Sequence, residues 1–237
     1  MTPELSIVIP AYNEAHSIGA CLRSVARQDI DQSYEVVLVD NHCTDETVAV
    51  AQAAVADLDL RIVHEWRHGR GAARRVGFEA ARGRILFSAD ADAVYPRDWL
   101  RTLLTALDKP GIVAASTSAR IADLSGWRNL TFNVAQPLAM YSYRLVFGHH
   151  CLSGFSFAIS RSVYEASGGF DPLLNADEDA DLSRRVARLG RIRLLLKPVT
   201  MSGRRFRHGL IPGLFAYVRM TLEYRLSRGD TQLTDIR

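Results

Sequence analysis

Two aspartates that follow a short apolar run could together hold a divalent cation. Ile85, Leu86 and Phe87 predict a buried strand, and Asp90 and Asp92 come at its carboxyl end. In an extended segment, residues i and i+2 point the same way, so we expect both carboxylates to converge on one point. Carboxylate oxygens suit Mg²⁺ and Mn²⁺, which also bind substrate phosphates. A solvated surface turn would explain the same pair, and the spacing alone does not separate the two interpretations.

A second group of carboxylates lies near residue 180, where four acids fall within five residues: Asp177, Glu178, Asp179 and Asp181. Leu182 and Val186 follow at a spacing that predicts a helix beginning at this segment. Acids in the first turn of a helix interact favourably with its dipole, by about 0.3–1 kcal/mol each. That effect explains one or two acids better than four, so a chemical role for some of them stays open.

A basic turn from Arg67 to Gly71 precedes a helix that we predict from about Ala72 to Ala81. Arg70 and Arg74, together with the helix N-terminus, are suited to bind an anion such as a phosphate group. The alternative is that Arg74 and Arg75 form a solvated helix face and that the glycines form only a turn.

Strands and helices alternate through the first half of the chain. The apolar patterns predict strands at Leu5 to Pro10, Glu35 to Val39, Arg61 to His64 and Arg84 to Ser88, with helices between them. Short loops and an almost wholly apolar first strand indicate an α/β fold with a mostly parallel central sheet flanked by helices. Such sheets bind ligands beyond the carboxyl ends of their strands, where the second strand delivers Asp40.

The second half of the chain is less regular. We predict strands at about 111–116, 153–160 and 192–196, and a helix at 126–147 with a break or kink at Pro137. The apolar tail at 210–226, with its embedded arginines, predicts a further helix.

Charge and composition limit which binding partners and which cellular compartment we expect. The net charge is +3, and Arg184 to Arg228 is rich in arginine, which favours an anionic partner such as phosphates or a lipid head group. The basic residues interleave with aliphatic ones and match no nucleic-acid-binding motif, so we expect no nucleic-acid partner. Three cysteines without a CxxC pair and a start without a signal-peptide pattern predict a reducing, cytoplasmic location. No apolar run reaches the roughly 18–20 residues of a spanning helix.

Five segments in order resemble those of family 2 glycosyltransferases, which have the GT-A fold. They are SIVIPAYNE, VVLVDNHCTDET, GRGAARRVG, LFSADADA and GGFDPLLNADEDADLSRRV. The resemblance covers about residues 5–208, and it departs from the family at Asn41-His42-Cys43, where Asp-Gly-Ser is usual, and at Arg75, where asparagine is usual. It implies an enzyme that moves a sugar from a nucleotide-diphosphate-sugar to an acceptor hydroxyl, with inversion as the first expectation and retention left open.

The resemblance also implies a donor site. It assigns the nucleobase to Asp40 and the nucleoside to the first loop, Pro10, Ala11, Tyr12, Asn13 and Glu14. It assigns the ribose and the diphosphate to Asp90 and to four arginines, Arg70, Arg74, Arg204 and Arg205. A Mn²⁺ or Mg²⁺ ion is implied at Asp92 and Asp90, with His208 as a third ligand. UDP is the default nucleotide, and GDP and dTDP stay open.

The same resemblance makes Asp179, beside Glu178, the general base for the acceptor hydroxyl. The acceptor itself is not readable. The segments 126–147 and 210–226 could line an acceptor tunnel, lie on a membrane surface near a lipid phosphate, or simply pack as core. A lipid-linked acceptor and peripheral contact with the inner face of a membrane therefore stay open.

Two other functions stay open as well. One is a non-catalytic nucleotide-sugar-binding or scaffold protein. The other is a nucleotidyltransferase, although that class has a glycine-rich basic loop after its first strand, and Ala11 to Ala15 lacks one. We expect one domain in two halves, with 1–117 binding the nucleotide sugar and 118–208 carrying the acceptor side and the base, followed by a helical tail at 209–237.

Overall fold

A computed structural model describes residues 2–204 of the chain. Within this range the strands are β1 (Leu5–Ala11), β2 (Tyr34–Asp40), β3 (Leu60–His64), β4 (Ile85–Ala89), β5 (Ala93–Val94), β6 (Ile112–Ile121), β7 (Ser156–Ser160) and β8 (Arg191–Met201). The helices are α1 (Ile18–Val25), α2 (Thr47–Ala54), α3 (Arg70–Ala80), α4 (Trp99–Leu107), α5 (Gly126–Phe147), α6 (Arg161–Ala166) and α7 (Glu178–Val186). The tail predicted at 209–237 lies outside the described residues.

The strands form one sheet in the order β3-β2-β1-β4-β7-β6-β8-β5. β1 pairs in parallel with both β2 and β4, as its apolar sequence predicts, and it is buried on both faces. Ala11 stands opposite Asp40, and Val8 stands opposite Ser88. The carboxyl ends of β1, β2 and β4 therefore meet at one edge of the sheet, so the loops that follow them lie together. The predicted α/β fold with a mostly parallel sheet is confirmed.

β7 is the strand that changes the sheet, because it runs antiparallel between β4 and β6. Its first residue, Ser156, stands opposite Ala89, the last residue of β4. The segment that enters β7, which includes Gly154, therefore lies beside the carboxyl end of β4. β6 covers residues 112–121, so the division predicted at residue 117 falls inside one strand.

The core lies on both faces of this sheet. One cluster contains Ile7, Phe87 and Trp99, and the other contains Phe78 and Phe157. All five side chains are buried. Burial on both faces fixes the register of the strands, and with it the position of the loops at the carboxyl edge.

Helix α5 continues through Pro137, where the sequence predicted a break or a kink. Proline removes one backbone donor, so other contacts must hold the helix in place. Asn133 accepts a hydrogen bond from the N–H of Ile121 (2.9 Å), and Gln136 accepts one from the N–H of Ala119 (3.2 Å). These amide side chains attach α5 to the edge of β6. Within residues 2–204, no helix combines the length and apolar character needed to cross a bilayer.

Gly77 sets how closely α3 approaches the sheet. A Cβ atom at this position would lie 2.3 Å from Val8 Cγ1 and 2.7 Å from Val39 Cγ2. We predict that Gly77→Ala lowers the free energy of unfolding by about 1–3 kcal/mol through overpacking, despite the higher helix propensity of alanine. Urea denaturation measures the change.

The matched control is Gly126→Ala in the first turn of α5, where an added Cβ meets no described atom within 4 Å. We expect its unfolding free energy to stay the same or to rise slightly. Equal stability of the two variants would contradict the close packing of α3.

Candidate active site

The site is organised around the guanidinium of Arg74, which is 3% exposed. Nη2 donates to Asp90 Oδ1 at 2.7 Å, and Nε donates to Glu178 Oε1 at 3.3 Å. Nη1 donates to Ser88 Oγ at 2.6 Å and to the carbonyl of Gly154 at 2.9 Å. Burial opposes the charge of Arg74, but Asp90 and Glu178 more than offset it, and the net effect raises the pKa of Arg74. One buried cation thus connects the ends of β4, β7 and α7.

Close backbone contacts bring Arg74 to this position. A Cβ on Gly71 would lie 2.2 Å from the carbonyl oxygen of Leu174, so α3 begins directly against the loop that precedes α7. The N–H of Gly71 donates to that carbonyl at 3.1 Å. A Cβ on Gly154 would lie 2.5 Å from Arg74 Nη2. A side chain at either glycine would clash with these atoms.

Asp179 lies in the first turn of α7, and its Oδ2 accepts a hydrogen bond from the N–H of Gly154 at 3.0 Å. Burial and the neighbouring Glu178 raise the pKa of Asp179 to about 6, against the opposing effects of the Gly154 N–H and Arg74. A carboxylate with a pKa near neutrality is suited to accept a proton at physiological pH. Gly154 therefore contacts Asp179 through its N–H and Arg74 through its carbonyl.

Asp177 is a residue that the sequence analysis did not assign to the site. Its φ is 57°, a left-handed conformation that is uncommon for a residue other than glycine. It is buried, and its Oδ2 has no hydrogen-bond partner in the part of the chain that the structure describes. Burial, followed by the charge of Glu178, raises the pKa of Asp177. The only signal in the sequence was the excess of acids before α7.

Asp90 and Asp92 lie in a turn, not in the extended segment that the sequence argument assumed. The N–H of Ala93 donates to the carbonyl of Asp90 at 3.2 Å, which closes the turn between β4 and β5. The two carboxylates pair with different arginines: Asp90 pairs with Arg74, and Asp92 Oδ2 lies 3.4 Å from Arg204 Nη2. Both nevertheless stay at the carboxyl end of β4, as predicted.

Two carboxylates of this kind fit a hard divalent cation that takes its other ligands from phosphate oxygens and water. Among residues 2–204, no group of three or more His, Cys, Asp or Glu side chains is arranged to hold a metal by itself. The predicted third ligand, His208, lies outside the described residues, as does Arg205.

Arg204 follows β8 and contacts the loops that follow β1 and β4. Its Nη2 contacts the carboxylate of Glu14, and its Nη1 lies 3.3 Å from His16 Nε2. Burial of Arg204 is outweighed by Glu14 and Asp92, so the pKa of Arg204 is raised. The predicted donor-binding residues Glu14 and Arg204 are therefore brought together with Asp92, a predicted metal ligand.

The loops after β1 and β2 form a second part of the site, around Asp40. Asp40 Oδ1 accepts the N–H of Cys43 at 2.8 Å, and Oδ2 lies 3.0 Å from His64 Nδ1. Asn13 has a φ of 53°, and its Oδ1 accepts the N–H of Thr44 at 2.7 Å. Pro10 and Ala11 end β1 beside this pair of loops, in register with β2.

Aromatic and imidazole rings surround this second part. Tyr12 meets His68 edge-on at a centroid distance of 4.7 Å, and His64 stacks on Trp66 at 6.1 Å with an interplanar angle of 18°. His42 lies edge-on to Trp66 at 6.2 Å. Sequence reasoning missed Trp66 and the three histidines as site residues, although a tryptophan within a polar, basic turn was a signal. Trp66 is 79% exposed, so its ring is open to a planar ligand.

Arg70 differs from Arg74 in its surroundings. It is exposed at the start of α3, and its guanidinium forms no ion pair with a described residue. Its positive charge opposes the rise in the pKa of Asp177 and of Asp179. Arg75, by contrast, donates to the carbonyl of Phe170 at 2.9 Å.

The burial of Arg74 leads to a stability prediction. Arg74→Gln would leave Asp90 and Glu178 in the interior without their cation, so we expect a loss of about 3–5 kcal/mol in unfolding free energy. The control is Arg84→Gln, because Arg84 forms an exposed pair with Glu4 and should contribute at most about 1 kcal/mol. Similar urea midpoints for both variants would show that the Arg74 network does not support the fold.

Several known proteins that resemble this chain in sequence or in structure are glycosyltransferases. The family described as glycosyl transferase family 2 matches residues 6–168, more than half of the chain. Glycosyltransferase AglE of Haloferax volcanii is 36% identical over 114 residues, which cover 46% of this chain and 37% of that protein. An undecaprenyl-phosphate 4-deoxy-4-formamido-L-arabinose transferase of Pseudomonas aeruginosa is 31% identical over 152 residues, or 59% of this chain and 44% of that protein. The chain thus spans less than half the length of these relatives.

Two solved structures share the fold. The mannosyltransferase PcManGT of Pyrobaculum calidifontis, in complex with GDP-Man and Mn²⁺, has a TM-score of 0.67 at 24% identity and covers 92% of this chain and 65% of that one. Glucosyl-3-phosphoglycerate synthase of Mycobacterium tuberculosis, with Mn²⁺, UDP and phosphoglyceric acid, has a TM-score of 0.65 at 24% identity, with coverage of 99% and 80%. The resemblance seen in the sequence is confirmed: the chain has the GT-A fold and belongs to glycosyl transferase family 2.

Proposed function

We propose that this protein transfers a sugar from a nucleotide-diphosphate-sugar to an acceptor hydroxyl, with inversion at the anomeric carbon. The observation that carries the proposal is the Arg74 network. It connects Asp90, at the edge where a donor diphosphate would bind, to Gly154, whose N–H holds Asp179. A donor site and a candidate base in one buried network are what a single-displacement transfer needs.

On the donor side, the nucleoside would lie between the loops after β1 and β2. Asp40 would accept a hydrogen bond from a ring N–H of the base, with Pro10, Ala11, Tyr12 and Asn13 along the nucleoside. Trp66 offers an exposed face for stacking. UDP is our default nucleotide, and TarS of S. aureus was solved with UDP-GlcNAc. GDP is the main alternative, because PcManGT was solved with GDP-Man.

The diphosphate would bind beyond the end of β4. Arg70 is the arginine placed to contact it, since Arg74 is already occupied by Asp90 and Glu178. Arg204, which lies beside Asp92, and Arg205, the next residue in the chain, would bind the phosphates. Asp92 and Asp90 would hold a Mn²⁺ or Mg²⁺ ion, with His208 as a further ligand. When bound, that ion would supply charge stabilisation to the leaving diphosphate.

On the acceptor side, Asp179 acts as the general base. As the acceptor oxygen attacks the anomeric carbon, its proton passes to the Asp179 carboxylate and the bond from that carbon to the diphosphate breaks. Attack opposite the leaving group inverts the configuration. Glu178 is a positioning residue, because its carboxylate holds Arg74 in place.

The acceptor class is suggested only by the relatives. One group of them is named for undecaprenyl-phosphate, so a lipid-linked acceptor is the first acceptor class to test. A soluble hydroxyl compound is the alternative, as glucosyl-3-phosphoglycerate synthase was solved with phosphoglyceric acid.

Thermal unfolding with a panel of nucleotide sugars tests the donor site. We expect one diphosphate donor, with Mn²⁺ or Mg²⁺, to stabilise the protein by about 2.7 kcal/mol at a hundredfold excess over its Kd. Asp92→Asn should lose the metal-dependent part of this shift. Asp29→Asn, an exposed aspartate paired with Arg101, should keep it. The absence of any shift would contradict the donor site.

Asp179→Asn tests the base. We expect turnover to fall by about 10²–10⁴-fold while donor binding is retained. Asp181→Asn is the matched control in the same helical turn, since Asp181 pairs with Arg184 and Arg185. Donor binding without turnover in the unmodified chain would favour the alternative of a nucleotide-sugar-binding or scaffold protein.

The pH dependence follows from the ionisation of Asp179. The base must be deprotonated, and the pKa of Asp179 is raised to about 6. We therefore expect kcat/KM to rise with pH up to about 6 and then to level off. A profile that is flat between pH 5 and pH 7 would count against Asp179 as the base.

A further inference from the structure

Helix α5 turns its polar side chains toward the protein. Asn133 bonds Ile121 through both its amide atoms, accepting from its N–H at 2.9 Å and donating to its carbonyl at 3.2 Å. Gln136 accepts from the N–H of Ala119, and Asn129 donates to the carbonyl of Leu124. An ordinary surface helix places mainly apolar residues inward, whereas the inward side of α5 is mixed, with these amides beside the buried Met140.

The outward face carries an apolar stripe of six side chains: Trp127, Leu130, Val134, Leu138, Tyr141 and Leu145. Their spacing of three or four residues places them on one side of the helix. Each is between 41% and 86% exposed. The 22-residue helix is about 33 Å long, and the stripe follows most of it, from Trp127 to Leu145. Clustered exposed apolar side chains of this kind are typical of interaction surfaces.

The charges beside the apolar stripe have one sign. The segment 126–147 contains Arg128 and Arg144 and no acidic residue. Trp127 lies at one end of the stripe and Tyr141 near the other, and both side chains favour an interface between apolar and aqueous phases. An apolar face with basic and aromatic residues but no acids is complementary to anionic lipid.

Other occupants fit less well. A second copy of α5 would bring arginines against arginines. The chain after residue 204 carries six arginines and three acidic residues, so it is basic as well. Neither offers the negative charge that Arg128 and Arg144 favour.

We propose that the apolar stripe of α5 docks on the surface of an anionic lipid bilayer. The helix lies in the plane of the membrane, with its leucines and Val134 among the upper acyl chains and its two arginines at lipid phosphates. Phe147, at the end of α5, is seven residues from Gly154, a reach of at most about 25 Å. Docking would therefore hold Asp179, which Gly154 contacts, near the bilayer surface.

Vesicle co-sedimentation of the full chain tests this surface. We expect binding to phosphatidylcholine vesicles that contain phosphatidylglycerol, and weak binding to phosphatidylcholine alone. The triple variant Leu130→Ser, Val134→Ser, Leu138→Ser should bind at least about tenfold more weakly. The control is a triple serine variant at exposed leucines outside α5, Leu173, Leu189 and Leu196, which should bind as the unmodified chain does.

A second variant tests the two arginines separately from the apolar side chains. Arg128→Gln with Arg144→Gln should weaken binding to the anionic vesicles by about fivefold per residue, with little change on neutral vesicles. Equal binding by this pair and by the unmodified chain would overturn the proposal.

The melting temperature of the triple serine variant distinguishes a lipid surface from protein as the occupant of the apolar stripe. Serine at exposed, uncovered positions should leave Tm within about 2 °C of the unmodified chain. A clear fall in Tm, or a shift from dimer to monomer, would mean that the chain itself or a second copy covers the stripe, and would overturn the proposal. Asp179→Asn should bind vesicles normally, so failure of the proposed chemistry and failure of lipid docking give different results.

Discussion

The buried charge of Arg74 is the interaction on which the site depends. A cation that is 3% exposed is tolerated only when carboxylates and carbonyls surround it, and here Asp90, Glu178 and the carbonyl of Gly154 do so. Each partner belongs to a different part of the chain. The requirement to neutralise one guanidinium therefore holds the carboxyl edge of the sheet and the first turn of α7 in a single arrangement.

The antiparallel strand β7 makes this arrangement possible. Insertion of β7 between β4 and β6 reverses the local chain direction, so the residues before β7 reach the carboxyl end of β4. Gly154 then presents its carbonyl to Arg74 and its N–H to Asp179. The same opposed contacts balance the pKa of Asp179, which burial raises and the Gly154 N–H and Arg74 lower. Packing and acid–base chemistry are thus controlled by the same few contacts.

Local patterns in the sequence were enough to predict the parallel half of the fold. The apolar strands and short loops placed Asp40 and Asp90 correctly at the carboxyl edge, because strand direction follows from the alternation of strands and helices. The burial of Arg74 was not predictable, since it depends on a non-local antiparallel insertion and on space left by Gly154. The sequence left three arrangements open for α5 for a related reason: a mostly apolar helix does not indicate which side its few amides will face.

A titration of the Asp179 carboxyl carbon by NMR, assigned with the Asp179→Asn variant, measures whether Arg74 controls the ionisation of the proposed base. We expect a pKa of about 6 in the unmodified protein and a higher value in Arg74→Gln, because the buried cation favours the ionised form. A pKa near the ordinary value of about 3.8 in the unmodified protein, or no change on removal of Arg74, would contradict this expectation.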